Sequence, residues 1–267
     1  MKINLYLENT IYFNPSGLGN FIQVTPALQH IAEETGRPVK VKFNKKYITD
    51  CFLDCDFIQW IFDDQEIEGH FPIRYAEWDM NAKLKDYEFG FREITGKEYD
   101  PKYHTYVDTP KLTNKPSKKY AVVMNGGNMT NPKNTLPKKM TSEMLDSVFF
   151  HSEKNDISLI FLGSEVDFET TKTINPLLEK YCTFILGDMR QCLAYLNESL
   201  GVICNDTGLY HAACAMKKKV LVSDRVPTRP NKMPSICIQT PNENTLIVSE
   251  KDWDKEVGLF LSQFSKS

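Results

Sequence analysis

Compact apolar segments separated by stretches of helix length dominate the second half of this 267-residue chain. They occupy residues 120–124, 157–162, 183–186, 200–204 and 219–223. Near-continuous apolar strands that alternate with helices are typical of a parallel sheet covered on both faces. The pattern therefore predicts a Rossmann-like α/β layout, in which ligands bind beyond the carboxyl ends of the strands.

The first part of the chain shows a shorter pattern of the same kind. Apolar runs predict strands at 3–7 and 11–13, and a loop follows at 14–20. Pro26 suits the first turn of a helix that Gly36 would end. The alternating run 39–43 predicts the next strand. These segments together predict a β-loop-α-β unit.

A polar stretch with prolines and lysines, residues 109–119, is typical of an exposed connection between domains. The preceding region, 47–108, is rich in aromatic and charged residues and yields no predicted element. We therefore expect two Rossmann-like domains, one over residues 1–115 and one over 116–267.

Charge and cysteine content restrict the kinds of partner. The chain has 32 basic and 35 acidic residues and a net charge of −3, so it has no overall field to attract nucleic acid. Lys217, Lys218 and Lys219 fit a solvated turn. The seven cysteines include no C-x-x-C pair, which favours reduced, buried thiols over a zinc site. Without a signal-like or bilayer-length apolar run, we expect a cytoplasmic protein with no stable membrane insertion.

The most informative motif follows the apolar strand 200–204. Asp206 or Thr207 could cap a following helix, and Gly208 would allow a ligand close to the helix amides, which bind phosphate well. His211, about one turn into the helix, would face the same ligand. The alternative is a simple turn with a helix cap and a buried packing histidine.

The whole segment 193–216, with Asp206-Thr207-Gly208, His211 and an alanine-containing helix, resembles the donor-site signature of the bacterial heptosyltransferase family. The resemblance implies the GT-B fold, with two Rossmann-like domains facing a cleft, the N-terminal one shortened here. It also implies a nucleoside-diphosphate sugar donor, donor-binding roles for these four residues, no cofactor and no metal.

A second segment, Gly19-Asn20 followed by Pro26-Ala27-Leu28, is similar to the first loop and helix of the same family. There the family has an aspartate as general base for the acceptor hydroxyl, and this chain has Asn20. A carboxamide can orient a hydroxyl but cannot take its proton at neutral pH. Other candidates for the base in this half are Glu8, Asp63, Asp64 and His70.

Three looser matches complete the donor site that the resemblance implies. Gly163 and Asp167 match a strand-end glycine and the acidic residue that binds the donor ribose, with Glu165 in reserve. Lys133 would meet the diphosphate, although a solvated lysine is the alternative and Leu136 stands where the family has tryptophan. Met189 follows the strand end that lies near the nucleobase in the family.

These features predict a glycosyltransferase that moves a sugar to a hydroxyl of a glycan, a lipid-linked molecule or another acceptor, in glycan or lipopolysaccharide-type assembly. Such a protein could work peripherally at the inner face of the membrane. The alternatives are a nucleotide-sugar-binding protein without transfer chemistry and a nucleotide-sugar epimerase. A nicotinamide dehydrogenase is excluded, because Gly17-Leu18-Gly19 lacks the third glycine and no acidic ribose ligand follows strand 39–43.

Overall fold

The computed structural model describes residues 10–12, 17–42, 45–61, 86–127, 138–225 and 243–265. Within these ranges the chain forms parallel sheets with helices packed on them. The strands are β1 Thr10–Tyr12, β2 Val39–Lys42, β3 Ile58–Ile61, β4 Tyr120–Met124, β5 Ser158–Gly163, β6 Cys182–Leu186, β7 Val202–Cys204, β8 Val220–Ser223 and β9 Thr245–Val248. The α-helices are α1 Leu18–Thr35, α2 Lys46–Thr49, α3 Asp86–Thr95, α4 Ser142–Lys154, α5 Glu165–Ile174, α6 Leu178–Tyr181, α7 Met189–Glu198, α8 Gly208–Ala215 and α9 Trp253–Ser265.

The first sheet contains β1, β2 and β3 in that order, all parallel. The predicted strands at 11–13 and 39–43 are present as β1 and β2, whereas the predicted strand at 3–7 lies outside the described residues. The region 47–108, for which the sequence predicts no element, supplies β3 and α3.

Helix α1 begins earlier than the sequence predicts. It starts at Leu18 and has Pro26 in its interior rather than in its first turn, so the predicted loop 14–20 is wrong for its last residues. Proline has no N–H to donate to the carbonyl of Ile22, four residues before it. The Thr25 hydroxyl donates to that carbonyl at 2.7 Å, which supplies the missing partner. Gly36 ends the helix in the left-handed region, at φ 66°, as predicted.

The second sheet has the order β6-β5-β4-β7-β8-β9 and is parallel throughout. The five apolar runs predicted as strands are confirmed, and β9 is an additional strand at the edge. The chain moves outward from β4 through β5 to β6 and then returns to place β7 on the other side of β4. The carboxyl ends of β4 and β7 are therefore the switch point at which such sheets bind ligands.

Two apolar clusters cover the two faces of this sheet. One joins α4 and α9 to the sheet, with Trp253, Phe149 and Phe161 fully or nearly fully buried. The other runs from α7 and α8 into α1 and the first sheet without a break. Helix α1 thus packs on α8 and connects the two halves of the structure.

The part of the chain that the structure describes contains no helix that is both long and apolar enough to cross a bilayer. The domain limits of 1–115 and 116–267 stay a prediction.

Candidate functional site

Two buried asparagines shape the loops at the switch point. Asn125 follows β4, and its side-chain oxygen accepts from the Met140 backbone N–H at 2.7 Å. Asn205 follows β7, and its side-chain amide donates to the Gly126 carbonyl at 2.7 Å. Both side chains are inaccessible to solvent. The loops at the ends of β4 and β7 are therefore tied to each other, and they fix the residues that come next.

Asp206 stands at the centre of the motif that the sequence identified. It is 8% exposed, and one carboxylate oxygen accepts from Lys138 Nζ at 2.7 Å. The other oxygen lies 3.9 Å from His211 Nε2. A buried carboxylate requires such partners because its desolvation is costly. Asp206 is thus held between a cation and an imidazole at the start of α8.

The sequence predicts Asp206 or Thr207 as the helix cap. Thr207 is the N-cap residue of α8, and its side chain makes no capping hydrogen bond. Gly208 also permits close packing, because a Cβ there would lie 3.2 Å from Leu18 Cβ. The glycine allows α1 to approach α8, which the sequence pattern alone could not show.

His211 is buried, at 5% exposure, in the contact between α8 and α1. Its Nδ1 lies 3.3 Å from the side-chain nitrogen of Gln23. Burial lowers its pKa to about 4, against the opposing effect of Asp206 and with a smaller contribution from Lys138. The imidazole is therefore neutral at pH 7.

Asn20 lies in the first turn of α1 and is partly exposed. Its neighbour Gly19 faces His211 so closely that a Cβ there would lie 2.7 Å from Nε2. The two segments that carry the family resemblance are thus in contact, although the sequence places Gln23 and His211 188 residues apart. The structure thus places Gly19, the neighbour of Asn20, against His211 of the predicted donor motif.

Asp167 and Gly163 lie beside this motif, across the loop that follows β4. A Cβ on Gly126 would lie 3.0 Å from Thr207 Oγ1 and 3.3 Å from Asp167 Oδ1. The Asp167 carboxylate already accepts from the Gly127 N–H at 3.1 Å, and it forms a capping box with Ser164 at the start of α5. It orders the loop, and its contact with a ribose stays a prediction. Glu165 is exposed in the first turn of the same helix.

Comparison with known proteins identifies the chain. Residues 90–254, more than half of its length, match the model of glycosyltransferase family 9 (heptosyltransferase). The chain belongs to this family. A search of curated proteins found no match.

Solved structures show the same fold as this family 9 chain. Heptosyltransferase WaaC of E. coli, solved with ADP, is 12% identical, with a TM-score of 0.65 over 95% of this chain and 99% of WaaC. E. coli ADP-heptose LPS heptosyltransferase II is 10% identical, with a TM-score of 0.62 over 96% of this chain and 99% of that one. The dodecameric, iron-containing glycosyltransferase TibC of enterotoxigenic E. coli is 12% identical, with a TM-score of 0.63 over 92% of this chain. This chain spans 64% of TibC. The α/β fold is therefore of the GT-B heptosyltransferase type.

Two basic residues that the sequence did not single out, Lys138 and Lys139, lie at the site of this family 9 protein. Lys133 and Leu136 lie outside the described residues. Lys138 contacts Asp206, and Lys139, 1% exposed, donates to the Asn125 carbonyl and lies 3.7 Å from Asp167 Oδ1. Burial lowers the pKa of Lys139. Their position shortly before Thr141, which caps α4, was the available signal.

Met189 begins α7 and packs, partly buried, on the apolar cluster shared with α1. The next residue, Arg190, was missed by sequence reasoning. Its guanidinium contacts Asp108 at 2.6 Å and Asp54 at 2.7 Å, and both aspartates belong to the first half of the chain. Asp108 is 1% exposed, so this arginine neutralises a buried carboxylate. Arg190 is a second link between the two halves, next to the predicted nucleobase position.

Metal-binding groups can be assessed only in the described ranges, where no three or more His, Cys, Asp or Glu side chains are arranged to hold an ion. The six described cysteines are free and buried. Burial raises the pKa of Cys182 and that of Cys192 to about 12, so both are thiols at neutral pH.

Proposed function

We propose that this family 9 protein transfers a sugar from a nucleoside diphosphate to an acceptor hydroxyl, and that the donor binds at the start of α8. The observation that carries the proposal is the Lys138–Asp206–His211 arrangement at the switch point of the sheet. It combines a cation, an oriented carboxylate and the amino end of a helix at the place where this fold binds nucleotides.

The leaving diphosphate would be stabilised by the positive end of α8 and by Lys138, whose side chain is 28% exposed. Since these groups supply positive charge, the proposal requires no metal ion. Asp206 would orient Lys138 and accept hydrogen bonds from the donor. Thr207, Gly163 and Asp167 would shape the neighbouring wall, with Asp167 toward the ribose and Met189 toward the nucleobase.

In the transfer step the acceptor oxygen forms a bond to the anomeric carbon as the bond to the diphosphate oxygen breaks. The acceptor proton must leave to a base, and the carboxamide of Asn20 cannot take it. We propose that Asn20 orients the acceptor hydroxyl. The alternative candidates for the base, Glu8, Asp63, Asp64 and His70, lie outside the described residues.

The solved relatives suggest which donor to test first. WaaC has been solved with ADP-2-deoxy-2-fluoro heptose, and TibC with ADP-D-beta-D-heptose. We therefore propose an ADP-activated heptose as donor and a glycan, lipid-linked or other hydroxyl of lipopolysaccharide-type assembly as acceptor. This transfer reaction would take place in the cytoplasm, at the inner face of the membrane.

A second candidate function is supported by one specific observation, the amide at position 20. A family 9 protein that lacks its carboxylate base could bind a nucleotide sugar without transferring it. The two functions differ in what happens to a bound donor.

The test incubates the full-length protein with ADP-heptose and a panel of glycan and lipid-linked acceptors, and follows the products by mass spectrometry. Transfer by the wild type that is lost in Lys138→Met would support the transferase. Donor binding without product, together with product formation by Asn20→Asp, would support the binding protein. If neither the wild type nor Asn20→Asp binds any nucleotide sugar, both proposed functions fail.

A further inference from the structure

Gln23 is a buried polar residue to which the family resemblance assigns no role. It lies on α1, about one turn beyond Gly19, and is 1% exposed. Its side-chain nitrogen is 3.3 Å from Nδ1 of His211, on the opposite side of the contact between the two halves. Its Oε1 has no hydrogen-bond partner among the described residues. The buried amide thus leaves its oxygen without a partner, which indicates that its nitrogen is needed for the contact with His211.

The contact has two chemical possibilities. A neutral imidazole carries one N–H, and its other nitrogen is an acceptor. If Gln23 donates, Nδ1 is bare and the proton of His211 is on Nε2. If the amide is reversed, Oε1 accepts from an Nδ1–H, and Nε2 is bare.

Asp206 distinguishes these possibilities. Its Oδ1 lies 3.9 Å from Nε2, while its other oxygen is already engaged by Lys138 at 2.7 Å. A bare Nε2 would direct its lone pair at a buried carboxylate, which is repulsive in a weakly polar environment. An Nε2–H directs a positive dipole at the same oxygen. The surroundings therefore favour the arrangement in which Gln23 donates.

The imidazole also has little freedom to rotate away from this contact. The main chain of Gly19 lies against it on the α1 side, where even a Cβ would overlap the ring. With Gln23 at Nδ1, Gly19 against the ring and Asp206 beyond Nε2, the ring is constrained on three sides.

We propose that Gln23 is a positioning residue, which donates to Nδ1 of His211 so that the Nε2–H and Lys138 hold the Asp206 carboxylate from two sides for donor binding. The proposal rests on the proposed function for its last step. It means that a residue of the acceptor-side helix sets the hydrogen-bonding state of the donor motif.

The test first measures the tautomer and then binding. In the ¹⁵N-labelled full-length protein at pH 7, long-range ¹H–¹⁵N spectra separate a protonated ring nitrogen from a bare one, and His211→Gln assigns the signals. The expected wild-type result is a proton on Nε2 only. A wild-type proton on Nδ1 would overturn the assignment.

Binding of ADP, measured by calorimetry, tests the positioning role. Gln23→Met, which keeps the size but removes the donor, should weaken ADP binding about tenfold. Gln29→Met on the same helix is the matched control, because the Gln29 amide donates to the His104 carbonyl on the far side of α1. The affinity of this variant for ADP should equal that of the wild type. Equal affinity in Gln23→Met and the wild type would overturn the positioning role. If the wild type binds no nucleoside diphosphate, the proposed function fails, and the NMR result still decides the tautomer.

Discussion

Gly19 and His211 are in direct contact, and the absence of a side chain on Gly19 makes this contact possible. A Cβ at position 19 would lie 2.7 Å from Nε2 of the buried imidazole and closer still to Cδ2. The ring cannot move aside easily, because Gln23 contacts its other edge. The packing of α1 on α8 therefore depends on this glycine, as it does on Gly208.

Gly19→Ala should destabilise the protein by about 1–3 kcal/mol, the usual cost of overpacking, despite the better helix propensity of alanine. Urea denaturation measures the free energy of unfolding. Gly17→Ala is the control, because nothing lies within 4 Å of a Cβ there, and it should change stability by less than about 0.5 kcal/mol. Equal effects of the two substitutions would show that α1 and α8 are not packed as described.

The charge of His211 should make stability depend on pH. The pKa of the folded state is about 4, below the ordinary 6.5, so the unfolded chain binds the proton more tightly. The contribution of the neutral imidazole to the free energy of unfolding is fully present above pH 6.5. It decreases by up to about 3 kcal/mol as the pH falls toward 4. The measurement is urea denaturation of the wild type and His211→Asn at a series of pH values. The difference between their unfolding free energies should shrink on acidification, and a constant difference would contradict a buried neutral imidazole.

Arg190→Met should destabilise the protein by about 2–3 kcal/mol. It leaves Asp108 buried with the Tyr106 hydroxyl and the Asp54 N–H as partners but without a cation. Adding Asp108→Asn should recover part of the loss, because the uncompensated charge is removed. The control is Lys172→Met, which breaks an exposed pair with Glu179 and should cost less than about 1 kcal/mol. A loss as small as that of the control would mean that Arg190 does not join the two halves.

Asn20→Asp should increase both stability and transfer. Helix α1 has no acidic residue in its first turn, so a carboxylate there would gain about 0.3–1 kcal/mol from the helix dipole. The same carboxylate could accept the acceptor proton, and we expect at least a tenfold higher transfer rate. Thermal unfolding and product formation measure the two effects. A more stable variant with no gain in rate would show that the side chain at position 20 does not contact the acceptor hydroxyl.

The sequence predicted the second sheet well because buried parallel strands are continuous apolar runs, which can be recognised without any tertiary information. It missed β9, a four-residue run at the sheet edge. It also placed the start of α1 too late, since Pro26 suggested a first turn and the compensating hydroxyl of Thr25 was not considered.

The motif at the end of β7 could be located from the sequence because strand ends are where this fold binds ligands. The residues that contact this motif could not be located from the sequence. Gln23, Lys138 and Arg190 have their roles through contacts with residues 188, 68 and 82 positions away, and no local pattern encodes such contacts. The same holds for the close approach of Leu18 to Gly208.

Asp206, held by Lys138, should form the donor site of this family 9 protein. Calorimetric titration with ADP and ADP-heptose measures this on the wild type, Asp206→Asn, Lys138→Met and the control Asp156→Asn, whose side chain is 91% exposed. We expect binding by the wild type and the control, and at least tenfold weaker binding by the other two. A folded wild type that binds neither ligand, or equal affinity in all four proteins, would show that the donor site does not lie at Asp206.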